Sequence, residues 1–207
     1  MFPRRTSISF KFWSFLFAIL FCVSSLLSLA SAGRVNVTID DTLGDELTGQ
    51  LISYTPQGAW KLGQSCTDCT AHPDASRAHK GSWHDGTFRN PQLSTLTPEL
   101  TATVSFDGVA VYVYGITTGT SSSLDSSALL SFFIDDALVG HYVHAPNGDS
   151  AYQYDVPLFV SGPLPAGQHV LKIVNGASSV KKSLVLLDYV VYTCVARREQ
   201  VRELWGG

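Results

Sequence analysis

The 207-residue sequence is short of charge, with Asp, Glu, Lys and Arg together at 15% against 45% hydrophobic residues. That balance excludes a disordered chain and a coiled coil, both of which need more charge per apolar side chain. One methionine, 17 glycines and nine prolines, with no persistent 3.6-residue apolar period between the leader and the last dozen residues, exclude a helical bundle. Lys and Arg never cluster in runs longer than two, and no nucleic-acid motif is present, so nucleic acid is not an expected partner. A Gly-x-Ser-x-Gly elbow is also missing. After the first thirty residues no apolar run reaches the roughly 20 residues needed to cross a bilayer.

The N-terminus has a basic start (Arg4, Arg5, Lys11), an apolar run from Phe12 to Ala30, and the small residues Ala30-Ser31-Ala32. This is the layout of a secretory signal peptide over residues 1–32, cut after Ala32. The alternative is an uncleaved anchor through residues 12–30, the one circumstance in which a membrane contact is expected. Cleavage removes three cations and no anions, leaving 11 Lys and Arg against 17 Asp and Glu, a formal charge of −6. The expected location is therefore secreted and extracellular. Of the four cysteines, Cys22 falls in the leader. Cys66 and Cys69 can close on each other in an oxidising compartment, leaving Cys194 buried, free or bridged elsewhere. Asn36-Val37-Thr38 is a candidate glycosylation sequon at Asn36.

Past the leader, short β-branched and aromatic runs alternate with turn residues, which predicts an all-β domain over residues 33–194. Val35 to Ile39 and Leu51 to Tyr54 read as half-buried strands. Thr101 to Phe106 and Val109 to Ile116 flank a turn at Asp107-Gly108, with Val109, Val111 and Val113 on one face and Tyr112 and Tyr114 on the other. Leu129 to Ile134 and Leu138 to His144 flank Asp135-Asp136 as a second hairpin. Tyr152 to Val160 contains Pro157 and is expected at a sheet edge. His169 to Val174 follows, and Leu184 to Thr193 is apolar enough for a central strand. About nine or ten strands result, suited to a two-sheet, jelly-roll-like sandwich. Residues 195–207 read as a polar tail in which Ala196 to Trp205 can form a short helix.

The strand rhythm breaks between Ala59 and Asn90, where Trp60, Cys66, Cys69, His72, Asp74, His79, Trp83, His84 and Asp85 gather; loops of this kind carry function. Cys66 and Cys69 have zinc-ligand spacing, but no second close pair completes a structural site, so a disulfide is favoured and no metal or cofactor is expected. Ser82, His84 and Asp85 are triad residue types, yet sequence neighbours on an extended segment point to opposite faces. Asp40-Asp41 and Asp135-Asp136 are carboxylate pairs that fit turns better than glycosidase or calcium chemistry. Aromatic rings beside carboxylates and imidazoles suit a sugar's C–H face and hydroxyls, making Trp60, Trp83, His84 and Asp85 the candidate ligand-binding residues. The competing reading packs Trp83 into the core with Asp85 capping a turn.

Several motifs strengthen this picture. They are Tyr54-Thr55-Pro56-Gln57-Gly58-Ala59-Trp60, Cys66-Thr67-Asp68-Cys69, Ala71-His72-Pro73-Asp74, Gly81-Ser82-Trp83-His84-Asp85, Phe106 to Tyr114, Ile134 to Gly140 and Asp188-Tyr189-Val190-Val191-Tyr192-Thr193. Over about Ile39 to Thr193 the chain resembles a family of secreted and cell-surface proteins of mushroom-forming (basidiomycete) fungi. The resemblance implies a galactose-binding-like β-sandwich outside the cell and lends no catalytic residue. Asp136 stands where the family has a turn glycine, and Ser82 where it has threonine. Many relatives continue into a stalk, a membrane helix and a cytoplasmic tail, which this sequence does not show; it reads as a secreted paralogue or a truncated gene product. The expected function is a secreted, non-enzymatic glycan-binding module. A structural or interaction protein of the surface, and a secreted hydrolase, are the alternatives.

Overall fold

The computed structural model describes residues 33–118, 127–146, 148 and 151–195. The leader, the C-terminal segment from 196 on and most of the serine-rich loop expected at 119–127 lie outside the described residues. Among the described residues no helix is long and apolar enough to cross a membrane.

The described residues form twelve strands: β1 (Arg34–Asp40), β2 (Gly44–Asp45), β3 (Ser53–Thr55), β4 (Trp60–Leu62), β5 (His84–Arg89), β6 (Leu100–Gly108), β7 (Ala110–Thr118), β8 (Ala128–Ile134), β9 (Ala137–His144), β10 (Tyr152–Val160), β11 (Gly167–Asn175) and β12 (Lys182–Val195). The larger sheet runs β10-β7-β12-β1-β2, with β5 also on β12 and β4 on β5; the smaller runs β3-β6-β11-β8-β9. All recorded pairings are antiparallel, and the all-β, two-sheet sandwich expected from the alternation is what forms. β12 is central, and its 14 residues leave room on one side for two partners in succession: β5 pairs Lys182 to Leu187, and β1 pairs Tyr189 to Val195.

The main core fills the space between the sheets. Val111 and Val113 from β7, Val185, Leu187 and Val190 from β12, Leu130 and Phe132 from β8, and Leu171 and Ile173 from β11 are buried there. In β6 and β8 buried and half-buried residues alternate with the period of two that a sheet with one covered face requires. β12 breaks that rhythm, because its pairing with β7 shifts between Leu187 and Tyr189. Asp188 is the extra residue, so the inward set changes from odd positions (Val185, Leu187) to even ones (Val190, Tyr192).

The hairpin turn between β8 and β9 is made by Asp135 and Asp136, both left-handed at φ 50° and 64°. Aspartate tolerates that region and here also uses its carboxylate. Asp135 accepts from His169 Nδ1 at 2.7 Å and from the backbone N–H of Val170 at 2.9 Å, tying the turn to β11. Asp135-Asp136 is thus a turn, as is Asp40, whose Oδ1 caps the N–H groups of Thr42 and Leu43.

Candidate functional site

Residues 63–83, expected to be an irregular loop, lie across the outer face of the larger sheet in three short 3₁₀ turns. Ala71, Ala78 and Trp83 cover Ile116, Leu184 and Leu186, making a second, smaller core on the far side of that sheet. Edge-strand tyrosines hold the loop down: the Tyr152 hydroxyl accepts from His72 N–H at 2.8 Å and that of Tyr154 from Asp74 N–H at 2.7 Å. The guanidinium of Arg77 stacks on the Tyr154 ring at 4.1 Å.

This arrangement corrects half of the expected binding surface. Trp83 is 1% exposed and Trp60 7% exposed, so neither ring is available to stack on a sugar. Each is seated by a glycine. Any Cβ at Gly63 would overlap the Trp83 indole, and one at Gly86, directly opposite Trp60 across β4–β5, would lie 2.7 Å from that ring. Trp60 Nε1–H donates to the carbonyl of Thr55 at 3.2 Å.

The Ser82, His84, Asp85 combination is not a triad. Ser82 Oγ donates to Asp41 Oδ1 at 2.6 Å, and His84 Nδ1–H donates to Asp41 Oδ2 at 2.6 Å. Asp41 thus gathers both groups, with Thr42 Oγ1 as a third donor at 2.8 Å, and the serine and imidazole do not bond to each other. The His84 ring lies flat under Tyr54, centroids 3.9 Å apart, and burial together with the carboxylates of Asp41 and Asp40 pushes the Tyr54 phenol far up. An activated nucleophile needs its base within hydrogen-bond reach; here the base is bound to a buried carboxylate and covered by a ring.

Asp85 faces elsewhere. Along β5 the side chains of Asp85, Thr87 and Arg89 share the outward face by the strand period, and Lys61 of β4 pairs opposite Asp85. With Ala59, Asp68, Cys69 and Thr70 they line a cavity of about 190 Å³. Asp85 is 2% exposed. Its Oδ1 accepts from Thr87 Oγ1 at 2.9 Å, while Oδ2 is buried without a partner. Burial raises the Asp85 carboxyl above the usual carboxylate range, against the opposing pull of the Thr87 hydroxyl and of Lys182 and Arg89. A buried acceptor left empty costs on the order of 1–3 kcal/mol, and the Thr87 hydroxyl is the side-chain donor this carboxylate has among the described residues.

One wall of the cavity is covalent. Cys66 and Cys69 form a disulfide, Cα atoms 5.5 Å apart, as the local pairing predicted. These cysteines and Asp68 have metal-ligand proximity, but both sulfurs are used in the bridge. A larger cavity of about 480 Å³ lies beside Asp107 to Val109, Gly167 and Cys194. Cys194 is a free, half-buried thiol; burial raises its pKa, with the carboxylates of Asp107 and Asp45 adding to the effect, which leaves little thiolate for reaction. Asn36 is exposed on β1, its Oδ1 accepting from Thr193 Oγ1 at 2.8 Å.

No known family matches this chain, and no curated protein matches it. Solved structures with some likeness include a family 35 carbohydrate-binding module from Clostridium thermocellum, 9% identical, spanning 80% of this chain and 100% of that one at a TM-score of 0.42. A GH26-CBM35 β-(1,4)-mannanase from Podospora anserina is 12% identical over 80% of this chain and 28% of its own, at 0.37. An exo-β-1,3-galactanase from Phanerochaete chrysosporium is 12% identical over 76% and 29%, at 0.42. The chain therefore spans less than a third of either enzyme, and at these scores none of the three bears on function.

Proposed function

We propose that the protein is an exported, non-catalytic module that binds a neutral saccharide unit in the Asp85 cavity. The observation that carries this reading is Asp85 itself, a lining residue of a small polar cavity whose buried carboxylate keeps one oxygen without a partner, so that a small shift of the lining would let a ligand hydroxyl reach it. A pyranose offers adjacent hydroxyls that both donate and accept. Asp85 would take the donated hydrogens, and Lys61, Arg89 and Thr70 would supply donors to the ring's oxygens. The cavity is below the usual 300–1,000 Å³ of drug-sized pockets, which suits one sugar unit rather than a threaded chain. His84 supports the site from behind as part of the Asp41 cluster, and Trp60 and Trp83 act as its foundation. Export is supported by the leader-like residues 1–32 and by the Cys66–Cys69 bridge; glycosylation at Asn36 belongs to the same proposal.

The test is retention of the full-length protein by insoluble chitin, β-glucan, mannan and cellulose, with elution by the matching monosaccharides. Asp85→Ala is expected to lose binding at least about tenfold while melting no lower than the parent at neutral pH. Binding that Asp85→Ala leaves unchanged, or no binding to any of the four, would remove this reading. The burial of both tryptophans favours a second one, a structural protein of the surface without a small ligand, and that reading expects no retention.

A further inference from the structure

We propose that β9 is a pairing edge through which two copies of this chain join, antiparallel, about a two-fold axis at His141. Sheet edges offer unpaired N–H and C=O groups, and native proteins blunt them with shortness, charge, proline or bulges. Most edges here are blunted. β2 has two residues, and β3 and β4 three each. β10 carries Pro157, a left-handed Asp155 and two register shifts. β9 has eight residues, Ala137 to His144, with neither a formally charged side chain nor a proline, and a single register shift, at Val139. Leu138, Val139 and Val143 are 53%, 44% and 70% exposed on it, and among the described residues it pairs with β8 alone.

The occupant is argued from register and charge. Pairing with β8 puts Leu138, His141 and Val143 on the outer face and Ala137, Gly140 and Tyr142 on the inner one, with Val139 the extra residue. Opposed residues in an antiparallel pair must share a face. A two-fold at His141 meets that condition along the whole strand. It sets Gly140 against Tyr142 of the second copy, Leu138 against Val143, and Ala137 against His144, with Val139 bulged as it already is against β8. The acidic turn Asp135-Asp136 then falls beside Ala145 and Pro146 of the second copy rather than beside its own image, so no like charges meet. The result is one continuous sheet joining the two smaller sheets, with Leu138 and Val143 of both copies covered.

The measurement is sedimentation equilibrium of the full-length protein between about 1 and 100 µM, with and without reductant, for the parent, Val143→Lys and His141→Asp. Val143 is exposed enough to take a lysine in the monomer, and His141→Asp sets two carboxylates directly opposite each other at the axis. The expected result is a concentration-dependent doubling of mass, unaffected by reductant and weakened at least tenfold by each substitution. Thermal melts at the lowest concentration should match the parent. A monomer throughout, a dimer that survives both substitutions, or one dissolved by reductant, which would place the bond at Cys194, would each overturn the proposal.

Discussion

The backbone N–H of His79 donates to Oδ1 of Asp188 at 3.0 Å, linking residues 109 positions apart. Asp188 also uses its carbonyl, which accepts from Asp41 N–H at 3.3 Å. Its Oδ2 is buried without a partner. The bulge in β12 is what aims this carboxylate under the 63–83 loop, so one extra residue in a central strand anchors a segment that otherwise touches the sheet through small apolar side chains.

Burial raises the Asp188 carboxyl to about 7, with Asp41, Asp155 and Asp40 adding to the rise and the His79 N–H opposing it. Between about pH 4 and pH 7 the folded protein therefore holds a proton that the unfolded chain has released, and stability falls as pH rises through that window. His169 acts in the same direction, its pKa raised by the Pro165 carbonyl and Asp135. Thermal melts from pH 5 to pH 8 should show decreasing midpoints. Asp188→Asn should remove a loss of stability of at most about 3 kcal/mol between pH 5 and pH 7 and melt above the parent at pH 8. An unchanged slope would show that Asp188 titrates normally.

Trp83→Ala should cost about 3–5 kcal/mol, the range for removing a buried aromatic side chain. The loss opens the second core, so hydrogen exchange should rise first at His72 and Ala78, with β6 and β11 protected until global unfolding. Trp83→Phe should recover much of the loss. Uniform loss of protection would mean that the loop and the sandwich unfold as one unit.

Asn175 and Ser183 form a buried pair at the far end of β11. Asn175 Nδ2 donates to the Gly86 carbonyl at 2.8 Å, and Ser183 Oγ–H is within bonding distance of Asn175 Oδ1. Asn175→Ala removes the amide's bonds to the Gly86 carbonyl and to the Ser183 hydroxyl, which keeps the Leu129 backbone as a partner, and should cost about 1–2 kcal/mol. Because Gly86 seats Trp60 on the strand that carries Asp85, the same variant should weaken saccharide retention more than its melt alone explains. Urea titration and polymer depletion together check this.

Converting Cys66 and Cys69 to serine opens a short loop, for which chain entropy gives about 2 kcal/mol. The larger effect is expected on ligand retention, since Cys69 and its neighbours Asp68 and Thr70 form one wall of the Asp85 cavity. A double variant that melts near the parent but binds as well would show that this wall does not touch the ligand.

Most of the sandwich could be read from alternation. The hairpins β6–β7 and β8–β9, the edge position of β10 and the central position of β12 all follow from apolar periods and turn residues, although β6 continues through the expected turn at Gly108. β4 and β5 could not be read that way. Lys61, His84, Asp85 and Gly86 have no strand signal of their own, and they are extended because the first half of β12 offers an open edge. The bulge at Asp188 hides within a run that is apolar on both sides. In the proposed binding region, Asp85 and the local disulfide were visible as residue types. The burial of Trp60 and Trp83 was not, because it depends on Gly86 and Gly63, one of them twenty residues from the ring it accommodates.

The Asp85 cavity is bounded by two kinds of material. β5, held by β12, fixes Asp85, Thr87 and Arg89 in position, whereas Asp68 sits inside the four-residue ring closed by Cys66 and Cys69, and Thr70 directly after it, in a segment that carries no ladder hydrogen bonds of β5 or β12. Residues 67, 68 and 70 are therefore open to wholesale randomisation without rearranging the strand beneath. A library at those three positions, screened against panels of sugars, would ask how far selectivity can be rewritten on an unaltered scaffold.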